Sequence, residues 1–310
     1  MRLRTKITLF FFVIAVLGSI VGGAMNYSNF EEVLTDEIYN HLETTIQTRT
    51  DHVLNFLDEK KIEIEMVATH QELSNEELKE IMDIDERIYE LFILDSNGKI
   101  ITGSDESQIG KDKSGDDYFI NSKNQTYIKD AYYSETIKKK LFTISTPHVG
   151  GVLVARIGLE ELETITADKL GLGETGEVYI VNSDKFLISS SRFFENNIMV
   201  QEVHSLNSKT CFWDMDEYYD DSTGKVEAPE RERKIFLDYR GENVFGLHGF
   251  VPQMNWCVLV EIDIDEALIK PMKKFVVFSF IISAGIILFF TLVGFVLGKK
   301  LEKKYQGGRK

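Results

Sequence analysis

The densest set of side chains able to recognise a small molecule lies between residues 116 and 148. Tyr118, Phe119, Tyr127, Tyr132 and Tyr133 offer apolar walls with polar tips, and Asp116, Asp130, Thr143, Ser145 and His148 offer charge and hydrogen bonds. A few polar groups converging on an aromatic lining is the composition of a small-ligand site. Strand residues alternate faces, so only one of Tyr132 and Tyr133 can point inward, and sheet core accounts for part of the aromatic set. Other chemistry-bearing residues are dispersed. The histidines (41, 52, 70, 148, 204 and 248) show no His-x-x-x-His or His-Glu-x-x-His spacing, which leaves a zinc site unsupported. Asp214, Asp216, Glu217, Asp220 and Asp221 read as an acidic loop lacking the Gly and terminal Glu of a calcium-binding EF-hand, hence as solvated charge. The glycines at 171, 173 and 176 lack the Gly-Lys-Ser/Thr and the preceding strand of a phosphate loop, and read as a turn. No Ser-His-Asp set, nucleotide site or pair of catalytic carboxylates stands out. The expectation is a protein that is not an enzyme and uses no metal or cofactor.

Two uncharged apolar runs frame these residues. Residues 7–25 form a stretch close to the roughly 20 residues that cross a bilayer core, and residues 275–297 form a second. A cleaved secretory signal is the alternative for the first run. That run exceeds the usual apolar core of a signal, and no Ala-x-Ala pattern ends it. Arg2, Arg4 and Lys6 precede the first run, and Lys299, Lys300, Lys303 and Lys304 follow the second, which places both termini in the cytoplasm and residues 26–274 outside it. Lys270, Lys273 and Lys274 at the outer mouth of the second span oppose this order with a single cluster.

The chain of 310 residues carries a net charge of −15. Three basic residues precede the first span and six follow the second, so the segment between them holds 26 basic and 49 acidic residues, a net of −23. Such a domain is poorly suited to nucleic acid or to an anionic lipid surface. Cys211 and Cys257 cannot build a disulfide framework, but could make one bridge outside the reducing cytoplasm.

The elements that must position the candidate site follow from periodicity. Residues 26–71 lack Pro and Gly, and Phe30, Leu34, Ile38, Leu42 and Ile46 recur every four residues, continuing through Val53, Phe56, Leu57, Ile64 and Val67. That is helix spacing without a strict heptad, and 46 residues would make a rod of roughly 70 Å. Ser74 followed by Glu76 and Glu77 predicts an N-cap and a short helix to about residue 82. Asn97-Gly98 between apolar stretches 88–94 and 99–102 predicts a hairpin. Strands at 126–133, 141–146 and 151–157, the last two joined by Pro147-His148-Val149-Gly150, predict an antiparallel meander that turns helical over 159–168. A second set follows: a hairpin at 177–182 and 186–190, strands at 235–239, 244–251 and 256–262, and a helix at 265–273 entering the second span.

This order of parts resembles the extracytoplasmic double Cache sensor family, a PAS-like group found in bacterial and archaeal membrane receptors such as histidine kinases and chemoreceptors. The resemblance rests on Asp117-Tyr118-Phe119, on the Tyr-bearing strand 127–133, on Ser145-Thr146-Pro147 and on the Gly-Val-Leu-Val strand beginning at Gly151. In the second half it rests on 173–184, ending in Ser-Ser-Ser-Arg192, and on Arg240-Gly241, Val244-Phe245-Gly246, Pro252, Asn255-Trp256 and 259–263. It spans about residues 26–274. It implies an α+β fold with a long N-terminal helix (26–71) and two antiparallel-sheet modules, membrane-distal (72–168) and membrane-proximal (169–274). These would lie between a cytoplasmic N-terminus (1–6), two spans and a short basic tail (298–310). It also implies a small-molecule pocket in the distal module and a parallel homodimer. Family members that bind amino acids usually grip the carboxylate with an Arg two residues before the first aromatic; Asp116 holds that place here, which favours a cationic or neutral ligand. Asp116 as a plain helix N-cap is the other reading.

The expected function is binding of an external small molecule and transmission of a conformational signal through the second span. With 13 residues after that span, the output would come from a membrane or cytoplasmic partner or from a piece of a longer kinase or chemoreceptor. The third reading is an adhesion or scaffold module with a filled core.

Overall fold

The computed structural model describes residues 2–167, 171–194, 196–220, 225–226 and 234–307. It divides into two compact units, Met1–Asn40 with Ile264–Lys310, and His41–Asp263. Helix α1 (Leu3–Ala68) contributes to both.

In the first unit, α1 packs on the C-terminal helix. Phe30 stacks on Phe275 with ring centroids 4.4 Å apart. Gly294 lets the helices approach: a Cβ there would meet the Phe11 Cβ at 2.9 Å. Both helices are long and apolar enough to cross a membrane.

In the second unit, α1 buries Leu42, Ile46, Val53, Leu57, Ile64 and Ala68. Their spacing alternates between four and seven, an eleven-residue repeat of about 3.67 residues per turn, which keeps the apolar stripe on one side of a nearly straight helix. Lys60 is buried on this helix and pairs with Asp85, which also accepts from Arg87 Nε at 2.7 Å. Burial pushes the Asp85 carboxyl up, but these cationic donors outweigh it and hold the group well below the ordinary carboxylate range. Helix α2 (Asn75–Ile84) opens with a capping box, in which Ser74 and Glu77 satisfy each other's backbone N–H groups.

The first sheet follows: β1 (Ile88–Asp95), β2 (Ile100–Gly103), the short helix α3 (Asp117–Ile120), β3 (Tyr127–Ser134), β4 (Lys139–His148) and β5 (Gly151–Gly158). Its order is β2-β1-β5-β4-β3, antiparallel throughout. At the predicted Asn97-Gly98 turn, Asp95 Oδ1 accepts from the backbone N–H groups of Asn97 and Lys99, and Gly98 has φ +85°. One expectation changes: β4 runs through Pro147 and His148, leaving only Val149 and Gly150 in the turn. Proline is tolerated because β3 pairing with β4 stops at Tyr127–Ser145, so the missing N–H breaks no ladder bond.

Helix α4 (Glu160–Ala167) leads to the second sheet, made of β6 (Glu177–Val181), β9 (Ile235–Leu237), β10 (Asn243–Val251) and β11 (Trp256–Asp263) in the order β6-β11-β10-β9. The predicted end of α4 at 168 lies outside the described residues. Between β6 and β9 come α5 (Leu206–Tyr218) and a two-residue pair, β7 (Tyr219–Asp220) with β8 (Lys225–Val226). In each sheet the first strand pairs with the last, followed by the last but one and last but two; the first sheet adds β2 outside β1. The expected return strand at 186–190 makes only isolated bridges, Val181–Leu187 and Phe186–Glu202. The expected acidic loop is corrected as well. Asp214, Asp216 and Glu217 sit on α5 and Asp220 on β7, while Asp221 lies outside the described residues. The helix follows from a buried stripe at helical spacing, Asn207, Ser208, Cys211, Asp214 and Met215, and Cys211 is bonded to Cys257 on β11 with Cα atoms 6.3 Å apart. After β11 a π-helical turn (Asp265–Ile269) runs into α6 (Lys270–Gly307), so the predicted feeder helix and second span are continuous.

Candidate functional site

The face of the first sheet that meets α3 is organised by register. Glu90, Arg156, Thr143 and Lys129 lie in one row across β1, β5, β4 and β3, and Phe92, Val154, Ser145 and Tyr127 form the next. Arg156 is only 5% exposed and Glu90 only 3%. Arg156 Nη1 donates to Glu90 Oε2 at 2.7 Å, and its Nη2 reaches the Tyr118 hydroxyl at 3.4 Å. The buried Nε has no hydrogen-bond partner. The guanidinium lies 5.3 Å from the Phe92 ring centroid and 5.9 Å from that of Tyr118. Burial works against the charge on Arg156, but Tyr132, Glu90 and Tyr118 outweigh it and raise its pKa further. Glu90 is raised by burial, with Arg156 pulling the other way.

The predicted residues fall into three groups. Asp116, Tyr118, Tyr132 and Thr143 gather around this row. Tyr118 donates to Asp116 Oδ2 at 2.7 Å, and burial followed by that bond pushes its phenol far up. The Tyr132 hydroxyl lies 2.9 Å from Thr143 Oγ1, and Lys129 Nζ sits 5.0 Å from the Tyr132 ring centroid. Asp116 is the N-cap residue of α3 by position, without a side-chain capping bond. A second group packs beneath. Phe119 is buried with Phe92, Leu94, Ile100, Val152 and Val154, Tyr127 lies against that cluster, and Ser145 donates to the Tyr127 carbonyl at 3.2 Å.

The third group points elsewhere. Tyr133 is 47% exposed, the outward partner of Tyr132 as alternation requires. His148 approaches the His70 carbonyl, its Nε2 at 2.9 Å, far along β4 from Thr143. Asp130 follows Lys129 and so points to the opposite face by ordinary alternation, while the irregularity between Lys129 and Tyr132 returns Tyr132 to the site face. It accepts from Trp256 Nε1 at 2.6 Å, Ser183 Oγ at 3.1 Å and Asn182 Nδ2 at 3.3 Å, so it joins the first sheet to the second. Burial raises its carboxyl, with the Trp256 bond lowering it.

Residue reasoning missed Arg156, Glu90 and Lys129. A signal existed: Arg156 and Glu90 are lone opposite charges inside otherwise apolar strands, Val-Leu-Val-Ala-Arg-Ile and Ile-Tyr-Glu-Leu-Phe. Charges of that kind stay buried only when paired. Among the described residues no group of three or more His, Cys, Asp or Glu side chains is placed to hold a metal ion.

A long helix carrying two antiparallel sheets of matching strand order, one with a short aromatic helix over a charged face, defines a tandem sensor domain of the PAS-like class. The family profile described as Cache domain matches residues 21–270, and the chain belongs to that family. Solved structures share the fold. The sensor domain of the Vibrio cholerae histidine kinase DctB superposes with a TM-score of 0.55 at 14% identity, covering 74% of this chain and 98% of that one. The ligand-binding domain of the Pseudomonas aeruginosa amino acid chemoreceptor PctB, solved with L-Arg, gives 0.54 at 15% identity, covering 76% and 92%. That of the P. aeruginosa receptor PctC, solved with GABA, gives 0.52 at 11% identity, covering 72% and 99%. No curated protein sequence matches the chain. Family and neighbours are sensor and receptor domains, and the two apolar helices flanking the Cache domain give the chain the layout of a two-pass membrane protein.

Proposed function

We propose that this chain is a membrane sensor whose first module, residues 72–168, binds a small molecule over the Arg156 face, and whose second module, 169–274, relays the change to α6. In this reading residues 26–274 lie outside the cytoplasm, both termini lie inside, the first module is membrane-distal, and the long helix pairs two copies. The observation that carries it is the state of Arg156: a buried guanidinium whose Nε is unpartnered, ringed by Tyr118, Tyr132, Thr143 and Lys129. An unmet buried donor of this kind favours a ligand that supplies an acceptor.

Asp116 alone favours a cationic or neutral ligand. Asp116 is instead engaged by Tyr118 and lies 3.8 Å from Lys113, while the buried cation is Arg156, which supports a ligand bearing a carboxylate or comparable acceptor. PctB and PctC were solved with amino-acid ligands, and such molecules head the test panel. Asp130 supplies the route onward, because ligand-driven movement of β3 at Lys129 or Tyr132 would pull on Trp256. A ligand can do this only by binding one arrangement better than the other. The scaffold reading keeps one supporting observation, the dense packing of Tyr118 and Phe119 in the core.

The test is a thermal-shift and calorimetric screen of the full chain in nanodiscs against amino acids, amines, organic acids and purines. A ligand at 100 times its Kd adds about 2.7 kcal/mol of stability, and the Arg156→Met variant should lose the response. A folded chain that responds to none of these classes would support the scaffold reading instead.

A further inference from the structure

We propose a second ligand site, independent of the Arg156 face, in the cleft between the two sheet-bearing modules, selective for a small organic anion with an aromatic or apolar body. The cleft has a volume of about 630 Å³, within the roughly 300–1,000 Å³ usual for ligand sites. One wall is the β3–β4 turn and the start of α4, with Tyr133, Lys140 and Leu159; the other is the segment after β6, with Phe194, Asn197 and Ile198.

The balance of satisfied and unsatisfied groups sets the ligand chemistry. The two described carboxylates on the walls each accept a hydrogen bond from a hydroxyl. Glu163 accepts from Ser190 Oγ at 2.5 Å, and Glu160 accepts from the Tyr89 hydroxyl. Two of the three lysines are engaged as well: Lys138 pairs with Glu135 at 2.6 Å, and Lys139 Nζ sits 3.8 Å from the Tyr89 ring centroid. Two donors remain. Lys140 has no ion pair or hydrogen bond among the described residues, and Asn197 is 7% exposed with its Nδ2 lacking any partner. A cation on one wall beside Tyr133 and Leu159, and an orphaned amide N–H on the other beside Phe194 and Ile198, fit a carboxylate attached to a ring or short chain. An occupant would touch both modules at once, and so would bias how a change in the first reaches the second.

The experiment uses the full chain in nanodiscs and measures equilibrium binding of phenylacetate, succinate and inorganic phosphate. Phenylacetate should saturate most tightly, and Lys140→Glu and Asn197→Leu should each weaken it about tenfold or more. Tyr118→Phe, on the other face, should leave its affinity unchanged. Should Lys140→Glu fail to fold, Lys140→Met and Asn197→Asp read the same contacts. The proposal is overturned if none of the three anions binds up to about 10 mM. It is equally overturned if phenylacetate binds the lysine and asparagine variants as tightly as the parent, or if Tyr118→Phe removes the binding. The last result would assign the anion to the Arg156 face and leave that reading intact.

Discussion

The two sheets share a strand order and differ in how each treats charge inside it. In the first, the buried row holds Glu90 against Arg156, an anion and a cation paired at 2.7 Å with the guanidinium Nε left unpartnered. In the second, the corresponding face carries two acids side by side, Glu177 on β6 and Glu261 on β11, in direct register. Neither has a cation hydrogen-bonded to its side chain among the described residues. Glu177 accepts from the Tyr239 hydroxyl at 2.6 Å, the Ser191 hydroxyl at 3.1 Å and the Arg192 backbone N–H at 2.9 Å. Glu261 accepts from Asn207 Nδ2 at 3.1 Å and faces the buried Tyr179 phenol. Burial raises both carboxyls, Glu261 to about 8. The helix over this second face is tied down by the Cys211–Cys257 bond, whereas α3 over the first face is a single turn with no covalent anchor. One topology thus supports a face with an unpartnered buried donor and a face tied by a disulfide, the contrast on which the proposed division between receiver and relay rests.

Breaking the first face should give the largest effect. Arg156→Met strands Glu90 and is expected to cost about 3–5 kcal/mol, while Arg156→Met with Glu90→Leu should recover most of it. Urea unfolding of the single and double variants measures both. A double variant that is stable but blind to ligand would separate recognition from folding. Removing the second module's tether by Cys211→Ala with Cys257→Ala opens a loop of 46 residues and should cost about 4 kcal/mol. If that loss proves negligible, the contrast between a stitched and a free face fails.

The paired acids predict a pH signature in the second module. Unfolded, Glu261 would titrate near 4.5, and folded near 8, so between these values the folded chain holds a proton that the unfolded chain has lost. Stability therefore falls as pH rises through this window, by up to about 1.4 kcal/mol per unit, and levels off above it. Glu261→Gln should flatten the slope in denaturation curves taken from pH 5 to 8. An unchanged slope would place the proton elsewhere. The smallest effect is expected at the junction: Asp130→Ala strips an acceptor from Trp256 and should cost about 1–3 kcal/mol. Ligand affinity at the first face should survive, but any ligand-induced change in tryptophan fluorescence should be lost.

Much of the architecture was legible locally. The Ser74–Glu77 cap, the Asn97-Gly98 turn, the outward Tyr133 beside the inward Tyr132 and the apolar stripe of α1 follow from contacts within a few residues, where backbone preference and periodicity speak directly. The candidate site was legible only in outline. Asp116, Tyr118, Tyr132 and Thr143 come together, but Asp130 and Tyr132 do not share a face as residue counting assumes, because one irregularity lies between Lys129 and Tyr132.

By itself the sequence determined the two apolar helices, the succession of strands and turns, and the aromatic character of the first sheet's face. Each of these depends on short-range propensity or on hydrophobic period. Only the tertiary structure decided which charges meet. Arg156 finds Glu90 across 66 residues, Asp130 finds Trp256 across 126, and Cys211 reaches Cys257 across 46. Those pairings are set by which strands the fold makes neighbours. A charge in a strand announces that it needs a partner, and the order of the strands decides which one it has.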